Sequence, residues 1–189
     1  MAFMTPAQLE KMGFKSLGKD VLISDKASIY NADQIEIGDY SRIDDFCLVS
    51  GKVRIGRNVH FAAFSNVAGG EKGIVFEDFS GLAYGCMVFT QSDDYSGKSL
   101  TNPTVPDRYK METKAAVHIG RHVILGTYTV VFPGVQMATG SASGAQALIT
   151  KSTEPWSIYF GSPARRIKAR QKDLLDLEAK YLQEEEATS

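Results

Sequence analysis

A six-residue spacing of apolar side chains runs along most of the chain. In three stretches an apolar or small residue occupies every sixth position, and a small or β-branched residue usually follows four places later. The apolar positions are Ile37, Ile43, Val49, Ile55, Phe61 and Val67, then Phe76, Leu82 and Val88, then Ile119, Leu125, Val131, Met137, Ser143, Ile149 and Pro155. Residues two apart on a strand point to the same side of it. Each small residue and the next apolar residue are therefore expected to face inward together.

This spacing predicts an all-β fold, a left-handed parallel β-helix of hexapeptide repeats spanning 21–160. Three hexapeptides make one triangular coil of about 18 residues, and successive coils stack about 4.8 Å apart. A sandwich of short strands is the alternative. It does not explain a strict period of six that is sustained over so many residues.

Two interruptions break the period. The stretch 69–72 reads Gly-Gly-Glu-Lys and predicts a small insertion at a corner of the β-helix. Between 90 and 116 the period disappears, which predicts one long protruding loop. Long loops within regular repeats are usually functional or disordered.

Helical segments are expected at both ends of a single domain, 1–189. Thr5 and Gln8 form a capping-box pattern around a proline, so a short helical cap is predicted over 4–13. The charged segment 163–186 is predicted to be a helical tail. Its apolar stripe would comprise Leu174, Leu177 and Tyr181.

Several outward-facing positions of the last coils are apolar, namely Ile124, Val130, Ala142 and Leu148. An exposed face of this kind needs a cover. Neighbouring subunits of a homotrimer are the expected cover, and the C-terminal helix folding back is the alternative.

Composition and charge indicate which partners, location and cysteine chemistry are to be expected. The chain has 189 residues and a formal net charge of -1, so no general attraction to nucleic acid or to an anionic membrane is expected. The N-terminus does not resemble a signal peptide, which favours a cytoplasmic location. Cys47 and Cys86 fall in one inward column about 9.6 Å apart, beyond disulfide reach, and are predicted to be free thiols.

The histidines do not predict a metal site. A γ-class carbonic anhydrase, another hexapeptide-repeat enzyme, would need three histidines converging on zinc. His118 and His122 lie on different parts of one hexapeptide and would not converge with His60.

His60 is the leading candidate for a general base. It is predicted to point outward, above Arg42 in the preceding coil and below Gly81 in the next. Asp44 and Asp45 lie just beyond Arg42, and all three are candidate substrate-binding residues. A surface histidine without a catalytic role is the alternative.

The long loop carries Asp93, Asp94 and Tyr95. Asp94 is the second candidate for the base, and Asp93 and Tyr95 are candidate substrate-binding residues. The same residues are also common in ordinary turns.

After the last hexapeptides comes a Gly-Ser-Pro-Ala-Arg-Arg-Ile stretch over 161–167. Repeats followed by this stretch resemble the hexapeptide-repeat acyltransferases, in which the segment lines the acyl-CoA groove. The resemblance implies acetyl-CoA as cosubstrate and no metal. The residues implied in binding it are Gly126, Thr127, Gly144, Ala145, Lys151, Ala164, Arg165 and Arg166. The small residues would leave room for the pantetheine arm and the basic ones would meet phosphates.

Stretches along nearly the whole chain, including 42–47, 59–63 and 93–106, resemble bacterial dTDP-4-amino-4,6-dideoxyglucose acyltransferases. The resemblance implies N-acetylation of a nucleotide-linked amino sugar for O-antigen or other surface polysaccharides, including lipopolysaccharide. Sugar O-acetyltransferases of this superfamily carry a histidine where this chain has Thr90-Gln91-Ser92-Asp93. That departure favours an amine acceptor, and O-acetylation stays the alternative.

Overall fold

A computed structural model describes residues 2–187 of the chain. Residue 1 and residues 188–189 of the predicted domain lie outside the described part. The chain winds into a left-handed parallel β-helix of about 7 turns, as the six-residue spacing predicted. Its three sheets form the three sides of the coil.

Each sheet collects one short strand from each coil. The first sheet contains Ser16–Leu17, Ile35–Ile37, Val53–Ile55, Ile74–Phe76, Val117–Ile119 and Gln136–Met137. The second contains Leu22–Ile23, Arg42–Ile43, His60–Phe61, Gly81–Leu82, Ile124–Leu125, Ala142–Ser143, Ser157–Phe160 and Arg165–Ala169. The third contains Ser28–Tyr30, Leu48–Ser50, Asn66–Ala68, Met87–Phe89, Val130–Val131 and Leu148–Ile149.

The predicted inward positions form the core, with one exception. Ile37 through Ile149 in the repeating series are buried, whereas Pro155 is exposed, so the period ends at Ile149. Aromatic packing strengthens the middle coils, where the rings of Phe61 and Phe76 lie 4.7 Å apart. Apolar burial of this kind contributes about 25 cal/mol per Å².

Small polar residues inside the coils bond to the backbone of neighbouring turns. Ser41 Oγ donates to Gly56 O at 2.7 Å and accepts the Val59 N–H at 3.0 Å. Such bonds offset the cost of burying a hydroxyl. Cys47 and Cys86 are buried free thiols, as predicted, and burial raises the pKa of each to about 11.

The N-terminal helix, α1, spans Pro6–Lys11 and begins at the predicted capping box. The N–H of Gln8 donates to Thr5 Oγ1 at 3.3 Å, and the Gln8 side chain accepts the N–H of Thr5 at 2.7 Å. Leu9 is buried and joins the core. A 3₁₀ turn, Ala32–Gln34, follows in the first full coil.

The long loop leaves the third sheet after Phe89 and returns to the first sheet at Val117. Its base is a short antiparallel pair, Gln91–Ser92 with Thr113–Lys114. Within the loop, Asp107–Tyr109 form a 3₁₀ turn.

The predicted helical tail over 163–186 is wrong in its first part. Arg165–Ala169 form a strand antiparallel to Ser157–Phe160, and the helix α2 begins only at Leu174 and ends at Glu186. The last coil would otherwise leave the N–H and C=O groups of Ser157–Phe160 unpaired at a sheet edge. Pairing those groups outweighs the helical composition of Arg165–Ala169.

Helix α2 then folds back onto the corner between the first and second sheets. Glu178 bonds to Arg121 and lies 2.9 Å from His122 Nε2, and Arg57 pairs with Glu185 at 2.6 Å. Its predicted apolar stripe stays partly exposed, with Tyr181 at 40%. Neither described helix is long and apolar enough to cross a membrane.

Candidate active site

The outer face of the second sheet brings three predicted residues into one column. Parallel pairing sets Arg42 beside His60, and His60 beside Gly81. Because Gly81 has no side chain, the position next to His60 in the column is empty; a Cβ built there would lie 3.6 Å from both His60 O and Ile124 Cδ1. The ring of His60 is therefore reachable from outside.

Asp44 connects the column. Its carboxylate accepts from Arg42 Nε at 2.6 Å and lies 2.9 Å from His60 Nε2, while its side chain is only 7% exposed. A carboxylate on Nε2 favours the tautomer that carries the proton there and leaves Nδ1 as an acceptor. Asp44 is thus a positioning residue for His60, in addition to its predicted place near the substrate.

Asp45 does not join this column. It accepts a short hydrogen bond from Ser24 and lies 3.4 Å from Lys26 Nζ. The hydrogen bond from Ser24 and, to a smaller extent, the hydrogen bond and positive charge of Lys26 lower the pKa of Asp45. The Asp45 side chain therefore links its coil to the preceding one, and its part in binding substrate stays a prediction.

Helix α2 forms one side of a groove next to His60. A groove of about 470 Å³ is lined by His60, Gly81 and Ile124 on the sheet and by Leu177 and Tyr181 on α2. The sequence had indicated Leu177 and Tyr181 only as a packing stripe. The spacing of these apolar residues indicated that one face of the helix packs against the protein. The sequence does not show which corner of the β-helix that face meets.

The C-terminal segment covers some of the apolar residues that were predicted to face outward. Ala142 is buried beside Ile158 of the last coil, whereas Ile124 stays 40% exposed under α2. Val130 and Leu148 are half-buried on the third sheet. The C-terminal segment therefore covers only part of the apolar face.

The loop residues lie elsewhere on the chain. Asp94 accepts hydrogen bonds from Ser96 N and Oγ, both at 2.9 Å, and from Ser99 Oγ at 3.2 Å. These bonds, led by the backbone N–H of Ser96, lower the pKa of Asp94. Asp93 accepts the Asn102 N–H at 3.3 Å, and the exposed Tyr95 bonds to Ser92 at 2.9 Å. Within one chain the loop joins the third and first sheets, whereas His60 lies on the second.

Gly126 and Gly144, which the resemblance implies leave room for pantetheine, lie where the β-helix packs closely. A Cβ on Gly126 would lie 2.6 Å from Ala145 N, and one on Gly144 would lie 1.9 Å from the ring of Phe160. Both contacts are far closer than van der Waals distance. Glycine is therefore required at both positions for close packing, and their part in binding pantetheine stays a prediction. Beside these glycines at the corner, Thr127 is half-buried and Ala145 is exposed.

The predicted basic residues lie at the C-terminal end of the β-helix. Lys151 and Arg165 are exposed, and Arg166 Nε bonds to Ser157 Oγ and Glu154 Oε2, both at 3.0 Å. Ala164 lies in a turn and donates its N–H to Leu148 O at 2.9 Å, which ties the turn to the last strand of the third sheet. Among residues 2–187 no group of three or more His, Cys, Asp and Glu side chains is arranged to hold a metal ion.

Comparison with known proteins identifies the family, although no family model matches the chain. The dTDP-4-amino-4,6-dideoxy-D-glucose acyltransferase of Escherichia coli is 38% identical over 184 residues, covering 96% of this chain and 95% of that protein. The N-acyltransferase AntD from Bacillus cereus has been crystallised as a mutant with dTDP-4-amino-4,6-dideoxyglucose and coenzyme A. It is 44% identical with a TM-score of 0.96, covering 97% of this chain and 98% of that one.

A further AntD structure holds dTDP and 3-hydroxybutyryl-CoA, at 43% identity, a TM-score of 0.96 and coverage of 97% and 98%. Identity at this level over nearly the full length of both chains extends beyond the shared β-helix to the loop and the C-terminal segment. The chain belongs to the dTDP-4-amino-4,6-dideoxy-D-glucose acyltransferase family.

Proposed function

We propose that this chain transfers an acyl group from acyl-CoA, with acetyl-CoA as the expected donor, to the amine of a dTDP-linked 4-amino-4,6-dideoxyglucose. The observation that carries the proposal is the full-length similarity to AntD, of which one structure holds dTDP-4-amino-4,6-dideoxyglucose with coenzyme A and another holds 3-hydroxybutyryl-CoA. The reaction belongs in the cytoplasm and would supply acylated sugars for surface polysaccharides such as O-antigen or lipopolysaccharide.

The chemistry needs one base and no covalent enzyme intermediate. The neutral amine attacks the thioester carbon, a C–N bond forms, the C–S bond breaks, and the CoA thiolate leaves. The proton lost by the nitrogen passes to the base and then to the thiolate. His60 supports this role because Asp44 holds its Nε2 and leaves Nδ1 to accept the proton.

Asp94 supports a different role. Its lowered pKa makes it a weaker base than an ordinary carboxylate. A carboxylate that stays charged suits binding of the sugar amine and orientation of its lone pair.

The tetrahedral intermediate needs a hydrogen-bond donor for its oxyanion. The N–H of Gly126 already donates to Ser143 O at 3.0 Å. The neighbouring Thr127 N–H is therefore the better candidate of the two amides at this corner.

A homotrimer would bring His60 and the loop together. The corner after the second sheet exposes Phe46, Phe64, Tyr84 and Tyr128, each more than half exposed, and Met87 follows on the third sheet. An apolar surface of this extent favours burial against another subunit. In such an assembly the loop of one subunit would complete the groove of its neighbour.

Acceptor specificity is tested by following CoA release with acetyl-CoA and a panel of dTDP- and UDP-linked amino sugars, with sugars that offer only hydroxyls as controls. Release confined to an amino sugar is the expected result. Release only with hydroxyl acceptors would point to O-acetylation. No release with any acceptor, together with stoichiometric zinc by elemental analysis, would favour a γ-class carbonic anhydrase.

Subunit sharing has its own test. Inactive His60→Ala and Asp94→Ala chains are unfolded, mixed and refolded together. Partial recovery of activity in the mixture is expected if each site takes His60 from one subunit and Asp94 from another. A mixture as inactive as its parents would contradict the shared site.

A further inference from the structure

Helix α2, Leu174–Glu186, is attached to the β-helix with little burial of its apolar side chains. Within the described chain none of the residues of this helix is buried, and Leu177 and Tyr181 are exposed. A helix of 13 residues is marginally stable on its own in water. The folded state of α2 therefore depends on the contacts that dock it on the corner between the first and second sheets.

Those contacts come from polar side chains on one face of the helix. Glu178, Tyr181 and Glu185 are separated by three and four residues, so they share that face. Tyr181 Oη accepts from Asn58 Nδ2 at 3.2 Å, and its ring meets the Phe79 ring edge-on at 6.1 Å. The two glutamates form the ion pairs described above, in which the cost of removing charges from water offsets much of their attraction. Docking of this kind is weak enough to be reversible.

The chain before α2 provides a hinge. Arg170 Nη1 donates to the carbonyl oxygens of His122 at 2.7 Å and Gly140 at 3.1 Å, which fastens the chain to the β-helix at that point. The three residues that follow, 171–173, are exposed. Asp173 is the N-cap, and its side chain forms no capping hydrogen bond with the described residues. The helix can therefore swing about 171–173 while the strand before it stays in place.

The docked helix forms one side of the groove of about 470 Å³ next to His60, which we call the His60 groove. Leu177 and Tyr181 line it from the helix, and Ile124 lines it from the second sheet. The carboxylate that holds His60 belongs to Asp44, which is part of the β-helix. Movement of α2 would therefore change the width of the groove and leave the proposed base in position.

We propose that α2 is a movable wall of the His60 groove, which docks when the acyl end of acyl-CoA occupies the groove and swings away when CoA leaves. The inference rests on the proposed function, because that function places the thioester beside His60. An acyl group in the groove would contact Leu177 and Tyr181 in the docked state only. Binding and docking therefore favour each other, and each shifts the other by the same free energy.

Hydrogen exchange of the α2 amides, measured with and without acetyl-CoA and in the absence of any acceptor, tests this coupling. Saturating acetyl-CoA is expected to slow the exchange about 10-fold, within the usual range for two coupled equilibria. CoA, which lacks the acyl group, should slow it less. Equal exchange in the free and the acetyl-CoA-saturated protein would overturn the proposal. Equal protection by CoA and acetyl-CoA would also overturn it, because the acyl group would then not contact the helix.

The double variant Glu178→Ala/Glu185→Ala removes the ion pairs along the docked face. A helix that is docked only a tenth of the time raises the Kd of acetyl-CoA about 10-fold, which is the expected result. Exchange of the β-helix amides should stay unchanged, which shows that the variant is folded. Lys180 lies in an exposed pair on the same helix, so Lys180→Ala is the matched control and should alter neither the Kd nor the exchange.

Two further outcomes separate the movable wall from the proposed function. Rapid exchange of α2 in the double variant with an unaltered Kd of acetyl-CoA would overturn the movable wall. Wild-type protein in which acetyl-CoA protects α2 while no amino sugar is acylated would contradict the proposed function and leave the movable wall intact.

Discussion

The imidazole of His60 and the carboxylate of Asp44 are joined by a 2.9 Å contact between Nε2 and Oδ2. The two residues are 16 positions apart and meet because consecutive coils stack in register. Arg42 binds the other carboxylate oxygen at 2.6 Å, so the ring is held from one side and open on the other.

Loss of the histidine should mainly affect turnover. His60→Ala is expected to lower kcat roughly 100- to 10000-fold, the usual cost of losing a general base. The KM for acyl-CoA should change little. Steady-state kinetics against pH would also show that the remaining activity rises with hydroxide concentration. Near-normal turnover would exclude His60 as the base.

Asp44→Asn should affect the same step through orientation. The amide keeps the size of the side chain but removes the charge that selects the Nε2–H tautomer, and a fall in kcat of about 100-fold is expected. A shifted acid limb of the pH profile distinguishes this from simple loss of folded protein. Asp25→Asn, a change at an exposed carboxylate, serves as the control and should leave the profile unchanged.

Gly144→Ala should destabilise the last coils. Its Cβ would overlap the ring of Phe160, and overpacking of this kind costs about 1–3 kcal/mol of unfolding free energy. Urea unfolding measures the loss. The double variant Gly144→Ala/Phe160→Ala should recover much of it, because Phe160 is half exposed. A weaker Kd of CoA at unaltered stability would instead support the ligand role that the sequence implied.

The buried thiols should make the fold sensitive to alkaline pH. Burial raises the pKa of Cys47 and Cys86 from 9.0 to about 11. The folded state therefore holds these protons where the unfolded chain has lost them. The contribution of the thiols to stability is complete below pH 9 and is lost as the pH rises through 11, at roughly 1.4 kcal/mol per pH unit for each thiol.

Denaturant unfolding between pH 8 and 11 gives the slope of the unfolding free energy against pH. The Cys47→Ala/Cys86→Ala variant is the control, because tyrosines and lysines titrate in the same pH range. The difference in slope between the two proteins is the expected signal. Equal slopes would show that the thiols ionise as freely in the folded protein as in the unfolded chain.

The docking of α2 should depend on one carboxylate. Glu178 is only 12% exposed and faces Arg121 and His122, so Glu178→Ala removes both contacts at once. Hydrogen exchange of the α2 amides should accelerate, because the helix has few buried apolar residues to hold it. Lys180 forms an exposed ion pair with Glu184 at 3.8 Å, so Lys180→Ala should leave hydrogen exchange of the α2 amides unchanged. Unaltered protection in the Glu178 variant would show that other contacts hold the helix.

The six-residue period, the inward columns, the capping box and the separation of the two cysteines were all predictable from the sequence. Each depends on neighbours within one hexapeptide or on the constant rise between coils. The resemblance to amino-sugar acyltransferases was readable for a similar reason, since it rests on short contiguous stretches such as 42–47 and 93–106.

The structure alone showed the role of particular side chains. Adjacent Asp44 and Asp45 look alike in the sequence, yet one turns to His60 and the other to Ser24 and Lys26. The close approach of Ala145 N to Gly126 and of the Phe160 ring to Gly144 is likewise visible only in the structure.

The repeat, the direction in which each repeated side chain points, and the resemblance to the family can all be read from local sequence pattern. Only the three-dimensional packing shows that Arg165–Ala169 form a strand, that α2 meets the corner at His122, and that Lys52, Arg54 and Lys72 line one groove beside the first sheet. Those outcomes depend on pairing at an open sheet edge and on which coils an insertion brings side by side. Both are long-range conditions that hydrophobic spacing does not specify.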